Sequence, residues 1–227
     1  MSVIQKIKAY GPIHYAETIF NRFVPAWLFR FSVGYVYEFD PQKLCAVLPT
    51  LDNSDYVMNC AEQGSEAREK LRETTWSSVP EETSANDFGY SIAKESAPST
   101  TLGGIWGGVE SFHEDNLGVR FHFTQDQSWI YCAFVDKEAR GMGVYKRVLS
   151  FAANDLVGKG YNRILAVIQP WNRASMRIHN KFVKRQIGKS MAIRIFSFCF
   201  VYTSGGFKRD RSFTFQPFSN PVNIHIS

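Results

Sequence analysis

An apolar strand that runs through two glycines straight into a helix is the feature of this chain that restricts its fold most. Ser128-Trp-Ile-Tyr-Cys-Ala-Phe-Val135 has the β-branched and aromatic content of a strand. It passes through Asp136-Lys-Glu-Ala into Arg140-Gly-Met-Gly-Val-Tyr145, after which Val144, Val148, Leu149, Ala152 and Leu156 recur at helical spacing. Gly158 and Gly160 then close the helix as C-cap residues. Two glycines between a strand and a helix let the backbone turn tightly and expose successive N–H groups, which with the positive end of the helix form an anion cradle. A diphosphate fits such a cradle, and Arg140, Lys146 and Arg147 add charge at the same end. A plain glycine turn is the competing reading of the junction taken alone.

The rest of the chain supplies the layers around it. Gly34–Asp40 reads as a short strand stopped by Pro41, and residues 41–76 as helical, with Glu and Arg spacings over Glu62–Arg72 that suit an exposed face. Residues 77–87 and 95–104 have loop composition, with a strand at Phe88–Lys94 between them. Strands follow at Ile105–Phe112, Val119–Thr124 and Ser128–Val135, then the helix, a buried strand over Arg163–Gln169, a helix over Asn172–Lys181 with Asn172 as its N-cap, and a strand over Met191–Tyr202. This order predicts an α+β (α/β three-layer) fold with a mixed, mostly antiparallel sheet. Residues 1–33 read as a lead-in packed on the domain, 34–203 as the domain itself, and 204–227 as an edge extension or tail.

Composition narrows the partners. At 227 residues, 44% hydrophobic and 21% charged, the chain has the material for a sizeable core, and disorder is excluded. A formal charge of +5 suits an anionic ligand without nominating nucleic acid, and the basic run from Arg163 through Arg173, Arg177, Lys181, Lys184, Arg185 and Lys189 reads more simply as a solvated face or a phosphate site. Cys45, Cys60, Cys132 and Cys199 lie too far apart for a C-x-x-C zinc or redox site, so no metal is expected. No stretch has the length and apolarity of a signal peptide or spanning helix, which predicts a cytoplasmic protein without stable membrane insertion. The 19 Phe, 10 Tyr and 5 Trp cluster at 20–39, 106–134 and 196–218, which suits a bulky, apolar, ring-bearing ligand.

Arg140-Gly-Met-Gly, together with Asn172-Arg-Ala-Ser175-Met-Arg-Ile-His179-Asn-Lys181, resembles the GNAT superfamily of acyl-CoA-dependent N-acetyltransferases. The first segment is similar to the family's acyl-CoA pyrophosphate loop, R/Q-x-x-G-x-G/A, and the second to its N-x-x-A/S-x-x-L/V-Y-x-K helix. Tyr145 departs from the usual small residue, His179 stands at the tyrosine position, and Val183-Lys184 replaces a closing G-F. The resemblance covers roughly residues 88–200. It implies a GNAT-like sheet splayed at the cofactor slot, acetyl-CoA or another acyl-CoA as cofactor, and contacts to it from Phe134, Val135, Arg140, Gly141, Met142, Gly143, Val144, Tyr145, Asn172 and Ser175.

Acyl transfer from a thioester to an amine requires oxyanion donors, a route for the amine proton and an acid for the leaving thiolate. Backbone N–H groups around Phe134–Asp136 are the expected donors. Glu110, on the strand Ile105–Phe112, is the expected base, with Asp136, Glu138 or a water relay as alternatives. His179 is expected to act as acid or base, and Cys132 to be an inert thiol, giving direct attack in a ternary complex. The acceptor is expected to be a small-molecule primary amine or amino sugar, with homodimerisation open. The rival readings are an acyl-CoA-binding protein without turnover and a transferase of longer acyl chains from CoA or a carrier protein.

Overall fold

The computed structural model describes residues 12, 15, 19, 20, 23–25, 27–75, 86–208 and 213–227. The loop expected over 77–87 lies outside them as far as residue 85. Eighteen-residue apolar helices able to cross a membrane are absent among the described residues. The chain divides into two compact units, one of Phe39–Phe112 and Phe123–Ala166, the other of Met1–Glu38, His113–His122 and Val167–Ser227.

The first unit is a mostly antiparallel sheet with helices on it. Strand β1 (Phe29–Phe39) ends as the chain enters this unit, and helix α1 (Pro41–Cys45) follows at once. Asp40 starts it by accepting the N–H groups of Gln42 at 3.0 Å and Lys43 at 3.3 Å, while Pro41 occupies the first turn where no N–H is needed. Then come β2 (Tyr56–Ala61), α2 (Glu66–Thr75), β3 (Phe88–Lys94) and β4 (Ala97–Gly108). Strand β7 (Gln127–Val135), α3 (Val144–Gly158) and the first four residues of β8 (Arg163–Ile168) complete it. The strand order is β8-β7-β4-β3-β2, with only β7 and β8 parallel.

Glycines in β4 explain how closely the helices lie on this sheet. A Cβ on Gly104 would stand 2.3 Å from Leu71 of α2, and one on Gly103 would stand 2.9 Å from Val144 of α3. Trp106, Trp129, Tyr90, Leu149 and Leu156 fill the resulting core without solvent exposure beyond 1%.

The second unit contains β1, α4 (Arg173–His179), β9 (Val183–Ile195), β10 (Phe198–Gly205) and β12 (Phe213–Pro217), with strand order β12-β10-β9-β1. A smaller sheet has the order β11-β13-β6-β5, from β5 (Ser111–Glu114), β6 (Val119–His122), β11 (Phe207–Lys208) and β13 (Val222–Ile226). The described residues of 204–227 are thus largely strand.

Four expectations from the sequence are corrected. The helical reading of 41–76 is interrupted by β2, whose Tyr56 and Val57 pair with β3; the charge spacing behind the reading is helical only from Glu66. The loop expected over 95–104 is the start of β4, hairpinned onto β3 through a bulge near Ala93. Ile105–Phe112 is not one strand, because the chain breaks after Gly108 and Glu110 takes φ 65°. Met191–Tyr202 is a hairpin turned at Phe196, φ 51°, rather than a single strand. In residues 1–33, Phe23 and Trp27 are exposed, while Phe31 stacks on Trp171 at 6.2 Å.

Ser150 shows how α1 is held to α3. Its hydroxyl donates to the Leu44 carbonyl at 2.6 Å and accepts the Leu48 N–H at 3.0 Å, all but sealed from solvent. Ser150→Ala leaves the Leu48 N–H unpaired, while the Leu44 carbonyl keeps its bond from the Val47 N–H at 3.3 Å, and is expected to cost about 1–3 kcal/mol in denaturant unfolding.

Candidate active site

The site is built on an irregularity in β7. Trp106 lies opposite Tyr131 and Gly104 opposite Phe134, so Ile105 faces two residues, Cys132 and Ala133. Cys132 sits at φ 47°, a conformation few side-chain-bearing residues adopt. This β-bulge bends the strand and changes which backbone groups face β4. After it, the Asp136 N–H donates to the Leu102 carbonyl at 2.7 Å, which fixes the phase of the ladder. By the alternation of an antiparallel pair, Phe134 also faces β4 and Val135 faces away. Arg140 Nε bonding the Val135 carbonyl at 3.2 Å agrees with that orientation. Of the three N–H groups expected to serve as oxyanion donors, Asp136 is therefore engaged, and Val135 has the outward orientation.

The same edge of β7 has little of β8 beside it. The two strands pair only from Gln127 to Ile130 against Arg163 to Ala166, and β7 runs on from Tyr131 to Val135 beyond that ladder. A turn then forms: Asp136 Oδ1 accepts the Glu138 N–H at 2.8 Å and the Asp136 carbonyl accepts the Ala139 N–H at 3.1 Å. Asp136, one alternative for the base, thus has a structural task.

Next, Gly141 and Gly143 take φ 89° and 75°, and Gly143 is the N-cap of α3 with no side chain capping it. The first-turn N–H groups of a helix have no intrahelical acceptor, so those of Val144 and Lys146 are presented at its positive end. A Cβ at Gly141 would meet nothing within 4 Å, so the outer side of the turn is open. This arrangement fits a diphosphate group, with Gly141, Met142, Gly143 and Val144 supplying the backbone and Arg140 and Lys146 exposed beside it.

Arg147 corrects the sequence reading. It is buried rather than available to an anion: Nη1 donates to the Met142 carbonyl at 3.0 Å, Nη2 to the Asp52 carbonyl at 2.7 Å, and the guanidinium lies over the Tyr56 ring at 4.5 Å. It props the glycine loop from behind, 2.8 Å from where a Cβ at Gly143 would be. Tyr145 is half-buried, and burial pushes its phenol further up from its ordinary range.

Glu110 is exposed at the break between β4 and β5, 3.5 Å from the Asn86 amide. Beside it lies a carboxyl the sequence reading missed. Asp87, 3% exposed, accepts the Tyr131 hydroxyl at 2.6 Å and the Val109 N–H at 3.0 Å. Burial raises its pKa to about 7, against the opposing pull of those hydrogen bonds and of Arg68. Arg68, itself buried, lies over the Trp106 ring at 4.9 Å, and Trp106 Nε1 donates to Thr75 at 2.8 Å. Asp87 thus ties the residue before the bulge to the end of β4. It follows the loop-like stretch 77–86, and nothing local marks it as buried.

In the second unit, Asn172 caps α4 as expected, its Oδ1 accepting the Ser175 N–H at 3.0 Å. His179 closes that helix, buried, with Nδ1 2.9 Å from the Ser175 carbonyl and 3.1 Å from its hydroxyl. A carbonyl only accepts, so Nδ1 carries the proton and Nε2 is the basic nitrogen. Desolvation lowers the His179 pKa, outweighing that hydrogen bond, so the ring is neutral near pH 7. Among the described residues no group of three or more His, Cys, Asp or Glu is placed to hold a metal ion.

Over residues 59–183 the sequence matches the Acetyltransferase (GNAT) family. The chain belongs to that family. No curated protein matches it. Among solved structures, a Drosophila protein superposes with a TM-score of 0.51 at 12% identity, covering 81% of this chain and 56% of its own. A conserved protein of unknown function from Staphylococcus epidermidis gives 0.47 at 10% identity, covering 79% and 66%. A GCN5-related N-acetyltransferase from Kribbella flavida gives 0.45 at 10%, covering 68% and 55%. This chain therefore spans less than two thirds of each of these proteins, and the first likeness is one of fold alone. The α+β, mostly antiparallel architecture is that of the GNAT family, with α3 following the glycine turn.

Asp87 carries a pH signature. A carboxyl whose folded pKa is raised from 3.8 to about 7 supports the fold fully below its unfolded pKa and loses that support as pH rises through 7. Asp87→Asn cannot ionise, so its stability relative to the unmodified protein should improve by roughly 2–4 kcal/mol between pH 4 and pH 8. Thermal melts across that range check the slope, and parallel curves remove the assignment.

Proposed function

We propose that this GNAT protein transfers an acetyl or other acyl group from acyl-CoA to a small-molecule primary amine, by direct attack without a covalent enzyme intermediate. The observation that carries the reading is the uncapped N-terminus of α3, reached through left-handed Gly141 and Gly143 from the bulged end of β7. Arg140, Gly141, Met142, Gly143, Val144 and Lys146 would hold the diphosphate, and Arg147 would keep the loop in shape from behind. Asn172 and Ser175 belong to the proposed cofactor contacts only through their backbone and exposed atoms, since the Asn172 carboxamide oxygen already caps α4. The bound thioester supplies an activated acyl carbon.

The chain's own groups then have separable tasks. The Val135 N–H, turned away from β4, offers a donor to the developing oxyanion. An alkyl amine has a pKa of about 10.4 and arrives mostly protonated, so a proton must be removed before attack. Glu110 is the exposed acceptor for it, and the buried Asp87–Tyr131 pair behind Glu110 holds a carboxyl whose pKa of about 7 matches that duty. His179 is neutral at this pH, which favours a role as hydrogen-bond partner or base over one as a ready imidazolium acid.

Amine-dependent release of free thiol from acetyl-CoA, with pooled amines and amino sugars screened by mass spectrometry, tests the proposal. Saturable binding of acetyl-CoA without thiol release from any pool would replace it with a binding role. Met142→Glu puts a carboxylate at the exposed tip of the loop without altering a glycine, and should weaken CoA binding about tenfold or more in calorimetry while leaving the melt unchanged. His179→Ala should lower kcat by about tenfold to a hundredfold with little change in CoA affinity; unchanged turnover would assign it to the packing of α4.

A further inference from the structure

Antiparallel pairing in the second unit gathers an apolar surface that its sequence only hints at. Phe198 lies opposite Ile195 on β9 and Pro217 on β12; Phe200 lies opposite Ile193 and Phe215; Tyr202 lies opposite Met191 and Phe213. Residues directly across a ladder share a face, so these nine side chains form three rows on one side of the sheet. The intervening residues of β10, Cys199, Val201 and Thr203, are buried on the other side. The nine-residue face is open instead: Phe213 and Phe215 are about half exposed and Phe198 nearly so, and Phe196 and Trp27 sit exposed 6.4 Å apart at the hairpin end. β12 is also the last strand of its sheet.

Three kinds of occupant would cover such a face, and charge separates them. The unit that bears the face, residues 1–38, 113–122 and 167–227, contains 15 Lys or Arg and five acidic residues, two of the cations (Lys184 and Arg185) being paired with Glu38, whereas residues 39–112 and 123–166 contain 11 Lys or Arg and 16 acidic residues. The modest +5 of the whole chain therefore hides a basic unit that includes every strand of this face. Lys189 continues the β9 row on the same side, opposite Ser204. Two copies of so basic a region repel one another.

Between the anionic partners, side-chain type decides. Phe215 packs against Phe198 at 5.0 Å and Phe200 at 4.4 Å, so the rings cover one another, and the β9 row is aliphatic. A strand of bases needs open ring faces interleaved with cations. An apolar sheet face set in a basic region suits the acyl and headgroup boundary of an anionic membrane.

We propose that the exposed face of β9, β10 and β12 docks the protein peripherally on an anionic lipid surface. The docking is independent of acyl transfer and needs no spanning segment.

Co-sedimentation of the full chain with vesicles tests it. The protein should pellet with mixed phosphatidylcholine and phosphatidylglycerol vesicles, bind phosphatidylcholine alone about tenfold more weakly or less, and release as salt is raised. The double variant Phe213→Ser, Phe215→Ser, and separately Lys189→Glu, should each weaken pelleting at an unchanged melting temperature and unchanged acyl-CoA binding. Equal binding to neutral and anionic vesicles, or a double variant that binds as tightly as the parent, overturns the proposal. So does a dimer in light scattering that the double variant abolishes. Tighter retention by single-stranded oligonucleotide than by anionic vesicles, lost in the same variant, overturns it in favour of a nucleic-acid platform.

Discussion

The bulge at Cys132 sets the geometry on which the candidate site depends. A residue with a side chain at φ 47° costs of the order of 1–3 kcal/mol and persists only where its neighbours over-determine it. Here they do. On one side Tyr131 is held by Asp87 and packs at 4.9 Å on Phe112. On the other the ladder resumes at Phe134 and is fastened by the Asp136 bond to Leu102. One inserted residue reverses the facing of everything after it, so Val135 points outward where a regular strand would have turned it to β4.

The glycine turn rests on a second buried support. A loop with two residues at positive φ has little internal rigidity, and the side chain that fixes this one comes from the helix it precedes. Arg147, one turn into α3, reaches back to the Met142 carbonyl and across to the Asp52 carbonyl. A cation placed there adds to the positive potential of the helix N-terminus while being held by carbonyls and a tyrosine ring. Its contribution to an anion is thus long-range and orienting, whereas Arg140 and Lys146 stand at the surface where direct contact is available.

That contrast explains what was readable in the sequence. The strand, the two glycines and the α3 periodicity are local patterns, and they name the junction and its anion preference from adjacent residues. The Asn172 cap is local too. By sequence Arg147 is one more charge near the loop, because its partner Asp52 is far away in the chain and contributes only a carbonyl. Asp87 is the clearer case. Its burial is created by Tyr131, Val109 and Arg68, none of them neighbours in the chain, and without burial an aspartate before a strand is an ordinary loop residue. Glu110 reads as a strand carboxylate from its neighbours, but the chain breaks after Gly108, where the Val109 N–H goes to Asp87 and the Glu110 carbonyl accepts the Phe123 N–H, partners that lie apart from 105–112 in the sequence.

The aromatic surplus divides by the same physics. Trp106, Tyr90 and Tyr131 are buried in the first unit, where the Trp106 indole bonds Thr75 and the hydroxyls of Tyr90 and Tyr131 bond Asp155 and Asp87. Among the described residues no such layer covers the rings of β10 and β12, although their strands alternate as cleanly as any buried pair. An uncovered edge strand bearing half-exposed phenylalanines invites association with whatever apolar surface it meets. Clustered basic charge narrows that choice by repelling a second copy of the same region and attracting an acidic surface. Position, rather than the number of aromatic residues, is therefore what separates the rings that build the site from those that face outward.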